Sequence, residues 1–223
     1  PRSTLFPYTT LFRSLFILAV RVLSQVAENT VYTFAILLAV YLVGTSIGAA
    51  IYSRWRGTHE FDVLRDRLLR ALAVVCLLGT LSLAVAEPLK NALLDAMGAS
   101  MSAALFAEAA LALVAFLPPT VVMGALFSHL CTHAAASGIS FGRAIGINTA
   151  GAAAAPFVCG VLLVPHVGAK FALLLVALGY LILASRRAWT APTQWLAVAA
   201  AAAFAVRSEE HTSELQSPIH ISY

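Results

Sequence analysis

Charged residues are scarce in this chain of 223 residues. Asp, Glu, Lys and Arg together make up 11% of it, where an average soluble domain has about 25%. Hydrophobic residues make up 61%, and the mean hydropathy is +0.88. Such a chain has too few polar side chains to cover the surface of an ordinary water-soluble domain. The composition therefore predicts an all-α, multi-pass membrane protein whose first partner is the lipid bilayer.

Cysteine is also rare. Cys76, Cys131 and Cys159 lie far apart and mostly within apolar segments, so they form neither a disulfide framework nor the spacing of a zinc site. His129 and His133 share one face of a helix, but Cys131 points roughly the opposite way and no carboxylate lies nearby in the sequence. We therefore expect no bound metal.

Catalytic patterns are absent from the sequence as well. Spacing alone suggests no Ser-His-Asp triad, carboxylate pair or Cys-His pair. The glycine-rich stretch GISFGRAIGINTAG matches neither GxGxxG nor the P-loop, and it follows no predicted strand. We predict no catalytic residue, no cofactor-binding residue and no cofactor in this chain, which leaves open whether a larger protein containing it is an enzyme.

The net charge of +4 does not indicate a nucleic-acid partner. Nucleic-acid binding needs basic residues gathered on one polar face, whereas these arginines lie in short segments between apolar runs. Membrane topology explains that distribution better, because Lys and Arg accumulate in the cytoplasmic loops of membrane proteins.

Both ends of the chain differ in character from the middle. Residues 4–14, TLFPYTTLFRS, resemble a translation of one arm of a common DNA-sequencing adapter, and residues 207–217, RSEEHTSELQS, resemble a translation of the other arm. Segments of such an origin carry no information about a native fold. We therefore treat residues 1–14 and 207–223 as non-native segments and residues 15–206 as a transmembrane domain that is itself a fragment.

The apolar runs predict five complete membrane spans with a partial span at each end. A helix crosses the hydrocarbon core with about 20 apolar residues. The expected complete spans are residues 31–52, 68–86, 103–127, 142–165 and 170–184, and the partial ones are residues 15–27 and 194–206.

A charged segment at residues 54–70 is the expected cytoplasmic loop. Alternating sides from this loop places eight arginines on the cytoplasmic side and two lysines on the other, in agreement with the positive-inside rule. The expected location is a cell inner membrane with several crossings.

Small residues predict where these helices pack, because they let two helix backbones approach closely in lipid. Residues 44–48 form a GxxxG pattern, and a second row of small residues runs along residues 138–154 at four-residue steps. Prolines predict kinks because they remove a backbone donor. The expected packing residues are Gly44, Gly48, Gly138, Gly142, Gly146, Ala150, Gly151 and Ala154, and the expected kinks are at Pro118, Pro119 and Pro156.

Arg21, Glu28 and Asn148 are polar residues that lie within a predicted span or directly next to one. Arg21 and Glu28 are seven positions apart and so share a helix face, which turns either toward the interior of the bundle or toward lipid headgroups. Asn148 either hydrogen-bonds an adjacent helix or lines a polar cavity, because an amide in an apolar helix needs a partner. Glu108, near the outer start of its span, is expected at the membrane interface.

Two stretches carry a family resemblance. Residues 22–56, and the later elements LPPTVVMGALF, Gly142-Arg143 and Asn148-Thr149-x-Gly151, resemble bacterial membrane proteins in which a multi-helix domain precedes a spermidine-synthase-like domain. Ser128 stands where that family usually has Pro, and Gly146-Ile147 where it has an aromatic residue.

The resemblance implies a membrane domain that is covalently fused to a cytosolic aminopropyltransferase-like domain acting in polyamine chemistry. We expect the membrane domain to anchor or accompany that enzyme domain, but the match itself leaves both anchoring and the movement of a polyamine open. None of that domain's Gly-rich or acidic motifs occurs in this chain. The alternative is a secondary transporter of the major facilitator type, which residues 44–56 resemble more loosely. A third possibility is a purely structural membrane protein.

Overall fold

The computed structural model describes residues 30–55, 60–84 and 100–184, together with residues 92, 95, 195, 198–199 and 202–203. Throughout these ranges the regular elements are helices, which confirms the all-α fold class. They are α1 (Thr30–Trp55), α2 (Phe61–Ala84), α3 (Met101–Ala136), α4 (Phe141–Ala155), a π-helical segment (Pro156–Leu163) and α5 (Val164–Ile182).

Two of these helices are long and apolar enough to cross a membrane. They cover Val31–Trp55 in α1 and Ser102–Ala136 in α3. The sequence predicts five complete spans. The described part of the chain supports two of them by length and composition, and the other three stay predictions. Helix α3 has 36 residues and is therefore about 54 Å long, which exceeds the hydrocarbon core of about 30 Å.

Helices α1 and α3 run parallel to each other. Thr33 near the start of α1 contacts Glu108 near the start of α3, and Tyr52 near the end of α1 contacts His129 toward the end of α3. Between these two contacts, Gly48 of α1 lies against the backbone of α3. The contacts advance in the same direction along both helices, and this pairing is the most extensive between helices in the described structure.

Helix α2 runs antiparallel to α3 and completes the core with α5. Phe61 at the start of α2 contacts His133 near the end of α3, while Gly79 lies against Ala115 in the middle of α3. The main apolar cluster draws on α2, α3 and α5, with a contribution from the end of α1. Its fully buried side chains include Leu69, Leu72, Leu126 and Tyr180.

The predicted cytoplasmic loop at residues 54–70 is largely helical. Helix α1 continues to Trp55 and α2 begins at Phe61, so Asp62, Arg65 and Asp66 lie on the first turns of a helix. Charge density suggested a loop, but the charges occupy successive turns whose apolar neighbours face the core. Leu64 and Leu68 are buried there.

Helix α3 likewise extends beyond its predicted end. The sequence suggests a loop from Ser128 to Phe141, yet the helix continues to Ala136. It ends in a Schellman motif: the Ile139 N–H donates to the Ala134 carbonyl at 2.9 Å, and the Gly138 N–H donates to the Ala135 carbonyl at 3.1 Å. Gly138 has φ +76°, a left-handed conformation that glycine adopts without steric cost.

Every residue from Phe141 to Ile182 is helical, where the sequence predicts a break between two spans near Pro165. The helix changes type instead, from α to π at Pro156 and back to α at Val164. Proline cannot donate to the preceding turn, and a π-helical segment redistributes the backbone hydrogen bonds without ending the helix.

The proline pair lies inside α3, which stays helical through both residues. Pro119 is fully buried and Pro118 is exposed. Because Pro119 has no N–H, the Ala115 carbonyl lacks its usual helical donor. A Cβ built on Gly79 would lie 2.9 Å from that oxygen, so glycine lets α2 approach α3 where the helical ladder is interrupted. Kinks at Pro118, Pro119 and Pro156 stay predictions.

Candidate functional site

Helices α1 and α3 meet through three glycines. A Cβ added to Gly44 would collide with the Thr120 hydroxyl, and one added to Gly48 would collide with the Val121 carbonyl. In the opposite direction, a Cβ added to Gly124 would collide with the Thr45 carbonyl and lie 2.7 Å from its Cα. The two backbones are therefore in direct contact, as small residues permit in lipid.

The structure places Gly44 and Gly48 at a helix contact, while Gly124 was missed as a packing residue. The signal that could have found it is its position in MGALF, four residues beyond Thr120 on the same helix face.

The row of small residues on α4 was expected to pack against a neighbouring helix, but most of it is exposed. Gly142, Gly146 and Ala150 are exposed, and no described atom lies within 4 Å of a Cβ built on Gly142 or Gly146. Gly138 is outside α4 altogether, in the turn that ends α3. The row therefore packs against no helix in the described part of the chain.

Helix α4 turns a neighbouring face inward. Ala144, Gly151 and Ala155 are buried, and Asn148 and Ala154 are half-buried. Positions 144, 148, 151 and 155 follow the spacing of one helix face. Of the predicted packing residues, Gly151 lies on this face and Ala154 lies beside it. The amide of Asn148 is on the same face and is directed toward α1 and α3.

A cavity of about 190 Å³ lies where these three helices meet. Helix α1 contributes one face at four-residue steps, α3 contributes residues just beyond the proline pair, and α4 contributes one side chain. The lining residues are Tyr41, Thr45, Ala49, Met123, Gly124, Phe127, Ser128 and Asn148. Asn148 thus takes the second of its two predicted environments, a cavity with polar groups.

Some polar side chains of the cavity already form hydrogen bonds within the protein, and others do not. The Thr45 hydroxyl donates within α1, at 2.8 Å from the Tyr41 carbonyl and 3.1 Å from the Leu42 carbonyl. The Ser128 hydroxyl and the Asn148 amide have no hydrogen bond in the described structure. These two groups are available to whatever occupies the cavity.

A second polar contact joins α1 and α3 farther along. The Thr33 hydroxyl donates to Glu108 Oε2 at 3.0 Å, and both residues are buried, with 1% and 2% of their surface exposed. Glu108 thus faces a neighbouring helix, and its expected depth at the membrane interface stays a prediction. The sequence offered one signal, an acidic residue within an otherwise apolar helix.

The opposite end of the α1 and α3 pair carries an aromatic cluster around His129. Its Nε2 lies 3.0 Å from the Phe61 carbonyl oxygen and its Nδ1 lies 3.3 Å from the Tyr52 hydroxyl. A carbonyl only accepts, so Nε2 carries the proton, and in the neutral ring Nδ1 accepts from Tyr52. His129 therefore joins α1, α2 and α3.

The ring of Phe61 stacks on two histidines. Its centroid lies 4.6 Å from that of His129 and 3.6 Å from that of His133, with interplanar angles of 20° and 17°. Arg65, whose guanidinium lies 5.6 Å from the same ring, forms ion pairs with Asp62 at 2.8 Å and Asp66 at 3.1 Å. Both histidines are thus engaged in packing between α2 and α3.

Among the described residues, no group of three or more His, Cys, Asp or Glu side chains is arranged to hold a metal ion. Arg21 and Glu28 lie outside the described residues, as do the proposed adapter-derived segments 1–14 and 207–223. Whether Arg21 and Glu28 share a cavity with Asn148 stays a prediction.

Comparison with known proteins yields no match to a family model, a curated protein or a solved structure.

Proposed function

We propose that this chain is a multi-pass inner-membrane domain that anchors a cytosolic, spermidine-synthase-like enzyme domain. The observation that carries the membrane part of the proposal is the outer surface of α1. Val31, Tyr32, Phe34, Leu42 and Val43 are each about half exposed or more. An apolar surface of this extent is unfavourable in water and suits contact with lipid.

Burial separates α1 from the core helix of a soluble protein. Only 22% of the most apolar window of α1 is buried, whereas 56% of the corresponding window of α3 is buried. A long apolar helix that is mostly buried is compatible with either environment. One that is mostly exposed needs an apolar surrounding, and a bilayer supplies it.

The distribution of charge supports an orientation. Because α1 and α3 are parallel and α2 is antiparallel, the end of α1, the start of α2 and the end of α3 lie at one end of the assembly. Arg54, Arg65, Arg67 and Arg143 belong to these segments or directly follow them. The positive-inside rule assigns that end to the cytoplasm.

The role as an anchor rests on the resemblance of residues 22–56 and 117–168 to the membrane part of spermidine-synthase-like proteins. The extensive glycine-mediated contact between α1 and α3 supports a rigid scaffold, since backbone contact leaves little freedom for the helices to slide. A fused aminopropyltransferase-like domain on the cytoplasmic side would be its partner.

Two measurements test this proposal. Membranes from cells that express the full chain are washed with alkaline carbonate, which strips peripheral proteins; the chain is expected to stay in the pellet, and its release would contradict membrane insertion. Separately, the source DNA is read across the junction between Val206 and Arg207. A continuation into an α/β domain with Gly-rich and acidic motifs supports anchoring, and a continuation into apolar spans only would contradict it.

Transport is the second candidate, and the cavity favours it. Transporter binding sites lie within the membrane where helices meet, and this cavity lies between α1, α3 and α4 with two polar side chains that make no hydrogen bond to a described residue. Reconstituted vesicles containing the full chain should then take up solute faster than empty vesicles. Ala49→Phe fills the cavity and should lower this uptake. Uptake by the variant equal to that of the unchanged chain would argue against transport.

A further inference from the structure

We propose that the cavity between α1, α3 and α4 binds a small neutral molecule with an apolar or aromatic body and a single hydrogen-bonding group. The inference rests on the proposed membrane placement, because lipid outside the helices leaves the polar groups of the cavity few other partners. It does not depend on whether the bound molecule is transported.

The size of the cavity limits the ligand. A volume of about 190 Å³ exceeds the 150 Å³ of an engineered protein cavity that accepts benzene, and corresponds to about six water molecules. A single ring with one substituent fits this volume, whereas a nucleotide exceeds it.

The walls of the cavity determine the body of the ligand. Tyr41 and Phe127 provide aromatic rings and Met123 a polarisable thioether, all of which pack well against a flat apolar group. None of the lining residues is charged. An ionic ligand would lose its hydration without gaining an ion pair, so the site favours a neutral molecule.

Ser128 and Asn148 determine the polar group. The hydroxyls of Ser46, Ser53, Thr120, Thr132 and Ser137 each donate to a carbonyl three or four residues earlier in their own helix. The Ser128 hydroxyl makes no such bond in the described structure. It therefore remains able to donate and accept, as does the amide of Asn148.

These two groups complement a hydroxyl or a primary amide on the ligand, which can donate to one of them and accept from the other. An amide in an apolar surrounding is unfavourable without a partner, so a ligand that supplies one gains affinity over an otherwise similar hydrocarbon. Phenol is the simplest molecule with all these features.

Fluorine NMR of the full chain in lipid nanodiscs tests the proposal with 4-fluorophenol and fluorobenzene as probes. Empty nanodiscs provide the background from partition into lipid. Saturable binding of 4-fluorophenol is expected, with an affinity about tenfold above that of fluorobenzene, as one hydrogen bond predicts. Equal affinities would overturn the assignment of a polar ligand, and no saturable binding of either probe would overturn the site.

Matched variants locate the binding. Ala49→Phe fills the cavity and should abolish saturable binding, whereas Ala50→Phe places the same ring on the exposed neighbouring position and should leave it unchanged. Asn148→Leu should lower the affinity for 4-fluorophenol about tenfold without affecting fluorobenzene. Thr149 is the exposed neighbour of Asn148, and Thr149→Leu serves as the control for Asn148→Leu.

Binding that persists in Ala49→Phe would place the probe elsewhere and overturn the proposal. The carbonate wash of each variant separates this failure from a failure of membrane insertion, since a chain that stays in the membrane yet binds no probe contradicts the site alone.

Discussion

The hydroxyl of Thr33 and the carboxyl group of Glu108 form a buried hydrogen bond of 3.0 Å between two parallel helices, although 75 positions separate them in the chain. Few other polar side chains lie in this part of the contact between α1 and α3. An acidic group buried there depends on its partner, because lipid and apolar side chains offer no replacement.

Replacing this donor should weaken the pairing of α1 and α3. We expect Thr33→Val, which keeps the shape of the side chain, to lower the free energy of unfolding by about 1–3 kcal/mol because the Glu108 carboxyl group loses its buried donor. Thermal unfolding in mild detergent measures the change. Thr149→Val makes the same replacement at an exposed position of α4 and should have little effect. Equal effects of the two variants would contradict the importance of the Thr33 contact.

The glycines of α1 and α4 should respond oppositely to the same substitution. Gly48→Ala forces a methyl group into the Val121 carbonyl and should destabilise the fold by about 1–3 kcal/mol. Gly146→Ala meets no described atom and should stabilise α4 by about 0.5–1 kcal/mol, because alanine is the better helix former. Unfolding of both variants in detergent gives the comparison. A loss of stability in Gly146→Ala would show that the α4 row packs against a surface outside the described residues.

Tyr52 and His129 should be coupled energetically. We expect Tyr52→Phe to cost about 0.5–1.5 kcal/mol because it removes one hydrogen bond, and His129→Phe about twice as much because it also removes the bond to the Phe61 carbonyl; both variants keep an aromatic ring in place. The double variant should cost less than the sum of the two, because either change alone already breaks their shared bond. Strict additivity would mean that the 3.3 Å contact contributes nothing to stability.

Parallel packing of α1 and α3 makes a prediction about accessibility across the membrane. In a cysteine-free background, Ser53→Cys and Ser137→Cys should both react from the cytoplasmic side, and Val31→Cys and Ser102→Cys from the opposite side. An impermeant maleimide added to intact and to lysed cells makes the measurement. Reaction of Ser53→Cys and Ser137→Cys from different sides would rule out the parallel arrangement within a bilayer.

The sequence predicted the helical class and the position of Gly44 and Gly48, because composition and residue spacing are local properties. It did not predict which surface each small residue meets. On α4, the glycines at positions 142 and 146 form a regular row, yet the inward face is the one with Ala144, Gly151 and Ala155. Which face turns inward depends on the neighbouring helices, and spacing along a single helix does not contain that information.

The misplaced loops have a related cause. Polar residues from Ser128 to His133 suggested that α3 ends early, and charges after Arg54 suggested that α2 begins late. In the structure, Phe61 and Tyr52 supply partners for His129, and the Thr132 hydroxyl donates to the Ser128 carbonyl. Polar groups that are satisfied by tertiary contacts or by their own helix do not interrupt it, and the partners become visible only when the chain is folded.

The cavity was anticipated in part. An amide within an apolar helix at position 148 indicated either a helix contact or a polar cavity, but the aromatic wall and the Ser128 hydroxyl come from two other helices. No local pattern links Tyr41, Phe127 and Asn148, so only the assembled structure reveals that they surround one space.

The antiparallel course of α2 has a consequence for how the chain is made. In the proposed membrane placement, α1 leaves the ribosome before α2 and α3 and is apolar over most of its length, so it can enter the bilayer without them. Helix α2 carries five charges in its first ten residues and is a far poorer substrate for the translocon. It must nevertheless return across the bilayer, because α3 runs parallel to α1. We therefore expect α2 to insert only together with α3. Gly79 of α2 packs against the backbone of Ala115 in α3, so the two helices enter the bilayer as a hairpin after α1.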